Sequence, residues 1–121
     1  MTDHVATVRQ LREMVRKFVD ERDWRQFHSP KNLCMSLQIE AAELAEHFQW
    51  LTTDDSRLVR HDPAQLQAVG EELADVVCYA LALANELEID LSDTLRAKMK
   101  KNELKYPVAE YKGRYGPNDQ R

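Results

Sequence analysis

Glycine and proline are scarce in this chain. Three glycines and four prolines in 121 residues leave little of the turn chemistry that hairpins need, and no stretch alternates apolar and polar residues as a half-buried strand does. No internal repeat is present, which excludes solenoid and propeller architectures. Cys34 and Cys78 lie far apart and form no C-x-x-C. That excludes a zinc knuckle or a disulfide framework and fits a reducing compartment. The longest apolar run, "VVCYALALA" at 76–84, falls well short of the ~20 residues that a bilayer requires. The start, "MTDHVATVRQ", lacks the basic and then apolar pattern of a signal peptide. A cytoplasmic protein with no membrane partner is expected. A basic surplus is also missing: 17 Lys and Arg stand against 21 Asp and Glu, a net charge of −4, which argues against a nucleic-acid polymer as partner.

What is present is helical. The residues are 43% hydrophobic and 31% charged, ordinary for a globular domain able to bury a core without staples. Val5, Val8, Leu11, Val15, Phe18 and Val19 form an apolar stripe, predicting a first helix from about Asp3 to about Arg22. After "RDWRQFHSP", Ser29-Pro30 supplies an N-cap and a first-turn proline, starting a second helix that runs to about Gln49. A polar link follows, and Asp62-Pro63 starts a third helix to about Leu87. "EIDLSD" leads into a fourth, which Tyr106-Pro107 terminates. The expected organisation is one all-α domain over 1–107 and a polar tail over 108–121, partly ordered at most.

Two of these helices carry acids where leucines belong. In the second helix, which carries "SLQIEAAELAEHFQW" at 36–50, Leu33, Leu37, Leu44 and Phe48 mark the buried side, and Glu40, Glu43 and His47 fall beside them. The third helix repeats the arrangement, with Glu72 and Asp75 on the stripe of Val69, Val76, Tyr79 and Leu83. Ionised carboxylates in a shared interior repel each other and lose hydration, so a positive partner is required. Two acid pairs offer the hard oxygen ligands that Mg²⁺ or Mn²⁺ prefers. Solvation, or pairing with Arg or Lys, is the alternative, since a single Glu-x-x-Glu is common on helices. A di-iron bundle would want Glu-x-x-His, whereas His47 follows Glu43 by four.

On the fourth helix, Lys98 and Asn102 share a side with Leu91, Leu95, Met99 and Tyr106. Lys98 there suits either a salt bridge to the carboxylates or a phosphate contact. Trp24, Phe27, His28, Trp50 and Tyr79 suit core packing or, beside a phosphate site, a flat slot for a base.

The motifs "RDWRQFHSPKNL", "EAAELAEHFQW", "EELADVVCYALALA" and "KMKKNELKYP" resemble the all-α nucleoside triphosphate pyrophosphohydrolases, the MazG-like superfamily, and within it the dCTP pyrophosphatase branch. The resemblance covers roughly residues 5–107. It implies a four-helix bundle-like fold assembled as an oligomer, a dimer of dimers with pockets shared between subunits. It also implies Mg²⁺ on Glu40, Glu43, Glu72 and Asp75, with Mn²⁺ as substitute. Nucleotide contacts would come from Trp24, Phe27, His28, Trp50 and Tyr79, and phosphate contacts from Lys98 and Asn102, with Lys98 meeting the leaving pyrophosphate. The implied reaction is nucleoside triphosphate plus water to monophosphate plus pyrophosphate, clearing unwanted or modified dCTP from the nucleotide pool. This chain has Ile39 where many relatives carry an acid before the first metal Glu, and Val15 where the dCTP branch carries His. The general base, a metal-ligand Glu or Glu71, is left open. A broad NTP or dUTP pyrophosphohydrolase, or a non-enzymatic helical module with a structural metal site, is the alternative function.

Overall fold

The computed structural model describes residues 1–115. Among these, every regular element is helical: α1 Val8–Glu21, α2 Pro30–Glu46, α3 Thr53–Leu58, α4 Pro63–Leu87, α5 Leu91–Lys105 and α6 Val108–Tyr111, with 3₁₀ turns at Arg25–Phe27 and Val59–His61. The described residues form two compact units, one over Met1–Glu88 with α1 to α4 and one beginning at Ile89 with α5 and α6. The division falls inside the stretch expected to be one domain over 1–107.

In the first unit, α4 is the axis against which α2 packs most extensively and α1 also packs. Both long α2 and α4 begin as the sequence dictates. Ser29 Oγ accepts from Asn32 N, Asp62 Oδ1 accepts from Ala64 N and Gln65 N, and a proline occupies the first turn of each. The first helix starts later than its apolar stripe suggested. Thr7 and Gln10 close a reciprocal capping box, which satisfies two amides at the helix end and so fixes the start at Val8 rather than near Asp3.

The expected polar link after the second helix is itself structured. Thr52 caps α3 through Asp55 N, and the 3₁₀ turn that follows buries Val59 while packing on α4. Among the described residues, Val59 joins Leu33 of α2 and Leu81, Ala82 and Ala84 of α4 as the most fully buried ones. The α1 to α4 junction is polar: Arg12 Nε donates to Asn85 Oδ1 at 3.0 Å, and Asn85 Nδ2 returns a bond to Arg12 O at 3.1 Å.

In the second unit, Asp90 caps α5 through Asp93 N. Pro107 starts α6 inside the segment expected as a tail, and Tyr106 and Tyr111 meet edge to face at 5.2 Å. The remainder of that expected tail, 116–121, lies outside the described residues.

Candidate functional site

Three carboxylates meet where α2 lies on α4. Glu40 and Glu43 sit one turn apart on α2, and Glu72 faces them from α4, so that one oxygen from each lies within 4.8 Å of the others. Oε2 of Glu40 and Oε2 of Glu72 are buried without a hydrogen-bond partner. Buried acceptors of this kind are rare in folded proteins and point to a bound ion or water. The donor set, three carboxylates on two helices, suits a hard divalent cation. Asp75, expected as the fourth ligand, stands outside the three-oxygen set and lines a neighbouring cleft instead.

The electrostatics follow from the crowding. Burial, then the close approach and charge of Glu43, the close approach of Glu72 and the charge of Asp75 push the Glu40 carboxyl from 4.5 to about 7. The folded chain therefore keeps a proton on Glu40 that the unfolded chain releases near 4.5. This contribution to stability is complete below 4.5 and is lost as pH rises through about 7. In metal-free protein the melting temperature should fall over that window, and Glu40→Gln, which is neutral throughout, should flatten the fall. Parallel profiles for the two proteins in excess chelator would contradict the assignment.

The cleft beside the carboxylates has a volume of about 790 Å³ and is walled by α1, the link to α2, and α4. Trp24, His28 and Tyr79 all line it, together with Asp75, Phe18, Val15 and Gly70. Phe18 and Trp24 meet edge to face at 5.7 Å, and Trp24 and His28 continue the row at 6.4 Å. Asp75 thus belongs to the cleft wall while its charge reaches Glu40. Cys78 lines the same wall, and burial with the nearby Asp75 charge raises its thiol above the ordinary value.

Two of the sequence candidates lie apart from this wall. Phe27 is 60% exposed, and Trp50 is 88% exposed beside a smaller pocket of about 270 Å³ shared with Glu46, His47 and Gln65. Lys98 and Asn102 are on α5 in the second unit, where Asn102 Nδ2 lies 3.8 Å from Met99 Sδ. Sequence reading missed the apolar contribution of α1 to the cleft, from Leu11, Met14 and Phe18. For Leu11 and Phe18 the signal was the apolar stripe that predicts the first helix.

The MazG-like family model matches residues 35–115, the stretch that carries all three clustered carboxylates. The chain belongs to the MazG-like family. This MazG-like chain is 38% identical to a pyrophosphatase from Archaeoglobus fulgidus whose crystal structure superposes with a TM-score of 0.75, covering 88% of this chain and 98% of that one. It is 41% identical over 102 residues to dCTP pyrophosphatase 1 of Homo sapiens and 40% identical to that of Mus musculus, in each case across 84% of this chain. It spans 60% of the length of those two relatives.

Proposed function

We propose that this MazG-like chain is a divalent-metal-dependent nucleoside triphosphate pyrophosphohydrolase, acting on dCTP or a modified dCTP in the cytoplasm. The observation that carries the reading is the carboxylate cluster with two buried oxygens left without partners. The similarity to dCTP pyrophosphatase 1 supports the substrate class. Glu40, Glu43 and Glu72 would hold the cation, Mg²⁺ by donor type, with Asp75, whose charge reaches Glu40, as the fourth proposed ligand. Such a cation would supply Lewis-acid polarisation and charge neutralisation for a triphosphate.

The chain's own groups account for the rest of the reading. Trp24 and Tyr79 offer faces for a base, and His28 offers a polar edge, in a largely apolar cleft. On the sequence resemblance, Lys98 and Asn102 are assigned to the phosphates. Water attack at the α-phosphorus then releases the monophosphate and pyrophosphate. Hydrolysis in ¹⁸O-labelled water should place the label in the monophosphate, with unlabelled pyrophosphate as the other product. Label in orthophosphate would mean attack at the γ-phosphorus and would overturn the reading. A nucleotide panel should show dCTP or a 5-modified dCTP ahead of dATP, dGTP and dUTP.

The working form is proposed to be a homo-oligomer, a dimer of dimers. Met14, Phe18, Leu73 and Val77 line the cleft yet remain 57%, 46%, 50% and 44% exposed, and Trp50, 88% exposed, is proposed to serve the cleft of another copy. An apolar surface of this kind favours a second subunit as cover. Light scattering at low micromolar concentration should find the assembly. A stable and fully active monomer would exclude it.

A further inference from the structure

The cleft wall turns on a single residue that touches no ligand in the reading above. α1 ends in a Schellman motif: Asp23 N donates to Asp20 O at 3.1 Å, and Trp24 N reaches back to Val19 O at 3.0 Å. The motif needs a left-handed residue between helix and exit, and Asp23 supplies it with φ of 51°. Glycine is the usual occupant, because a side chain there meets the following carbonyl, with Asn and Asp the tolerated exceptions. This chain uses Asp and secures it, with Gln26 Nε2 donating to Asp23 O at 3.0 Å and reaching Asp23 Oδ2 at 3.3 Å.

The consequence is directional. A helix that continued through Asp23 would carry residue 24 a further 100° around its axis. The left-handed step instead reverses the chain, so that Trp24 and Val19, the pair joined by the 3.0 Å bond, both line the cleft. The 3₁₀ turn Arg25–Phe27 starts from the same point through Phe27 N to Trp24 O at 2.8 Å, which brings His28 to the cleft as well. Arg22, immediately before the reversal, closes over the Phe18 ring at 3.8 Å and donates to Phe18 O, fixing the other aromatic of the row.

We propose that Asp23 is a positioning residue for the nucleotide: its left-handed backbone aims Trp24 and His28 into the cleft and so governs affinity for the base rather than the rate of the chemical step. The proposal rests on the pyrophosphohydrolase reading and adds a residue to the binding side of that site. It concerns backbone conformation, not the Asp23 charge, and this sets the variants. Asp23→Gly and Asp23→Asn keep the left-handed state accessible, whereas Asp23→Ala and Asp23→Val do not.

The test is KM and kcat for Mg²⁺-dependent pyrophosphate release from dCTP, the dissociation constant of dCMP by tryptophan fluorescence, and Mn²⁺ affinity, for all four variants. Asp23→Val and Asp23→Ala should raise KM and the dCMP constant by roughly three- to tenfold, the range that a left-handed penalty permits. Their kcat should stay within about twofold and their Mn²⁺ affinity unchanged, while Asp23→Gly and Asp23→Asn stay near wild type. Asp23→Ala keeps the comparison available should the β-branched variant fail to fold. An active wild type with unaltered Asp23→Ala constants, or equal losses in the glycine and alanine variants, would overturn the positioning role alone. A wild type that turns over no nucleotide would overturn the functional reading and this one with it.

Discussion

Replacing Glu72 by Gln should reduce metal-dependent pyrophosphate release by about a hundredfold or more, while the circular dichroism of the helices stays unchanged. Perturbing even the outer partners of a metal site commonly costs ~10–100-fold in affinity or activity, and Glu72 supplies one of only three clustered oxygens from the described residues. The fold should survive because the substitution removes repulsion: in the absence of metal the cluster already forces a proton onto Glu40. The melting temperature without metal should therefore hold or rise, and its increase on adding Mn²⁺ should shrink, since a ligand stabilises only as far as it binds. Full activity in Glu72→Gln would remove the cluster from the reaction.

Trp24→Ala should weaken binding of dCMP by about 1–3 kcal/mol, the range measured for a base stacked on an aromatic side chain, and leave Mn²⁺ affinity intact. Trp24 sits in the row between Phe18 and His28 and is absent from the carboxylate set, so base affinity and metal affinity should separate cleanly in this variant. Equal losses of both would mean that the cleft and the metal cluster are a single site unit. Unchanged dCMP affinity would move the base elsewhere, most directly to Trp50.

The chain's periodicity reveals some of these parts and hides others. Both long helices of the first unit were legible because Ser29-Pro30 and Asp62-Pro63 combine a side-chain cap with a first-turn proline. Glu40, Glu43 and Glu72 were legible for a related reason, since a carboxylate on an apolar stripe conflicts with burial wherever the helix packs. Asp75 shares that stripe, about 60° from Glu72 on a helical wheel just as Glu43 is from Glu40, and it lines the cleft wall while its charge reaches Glu40. The α3 helix was not legible, because six residues give less than two turns over which a period can be counted. The reversal at Asp23 was hidden for a different reason: the usual glycine signal is missing, and its replacement acts through backbone conformation.

Gly70 gives the cleft a further property. It stands inside the 25-residue α4, lines the cleft, and has nothing within 4 Å of where a Cβ would sit. Alanine there would be about 1 kcal/mol better for the helix and would clash with nothing in the protein itself, so any selection for heat resistance alone would find that substitution early. The added methyl, however, would stand in the cleft proposed for the base. On that reading the position is a point where durability and substrate size pull against each other, and a thermostable descendant of this chain carrying Ala at 70 should accept a narrower range of nucleotides.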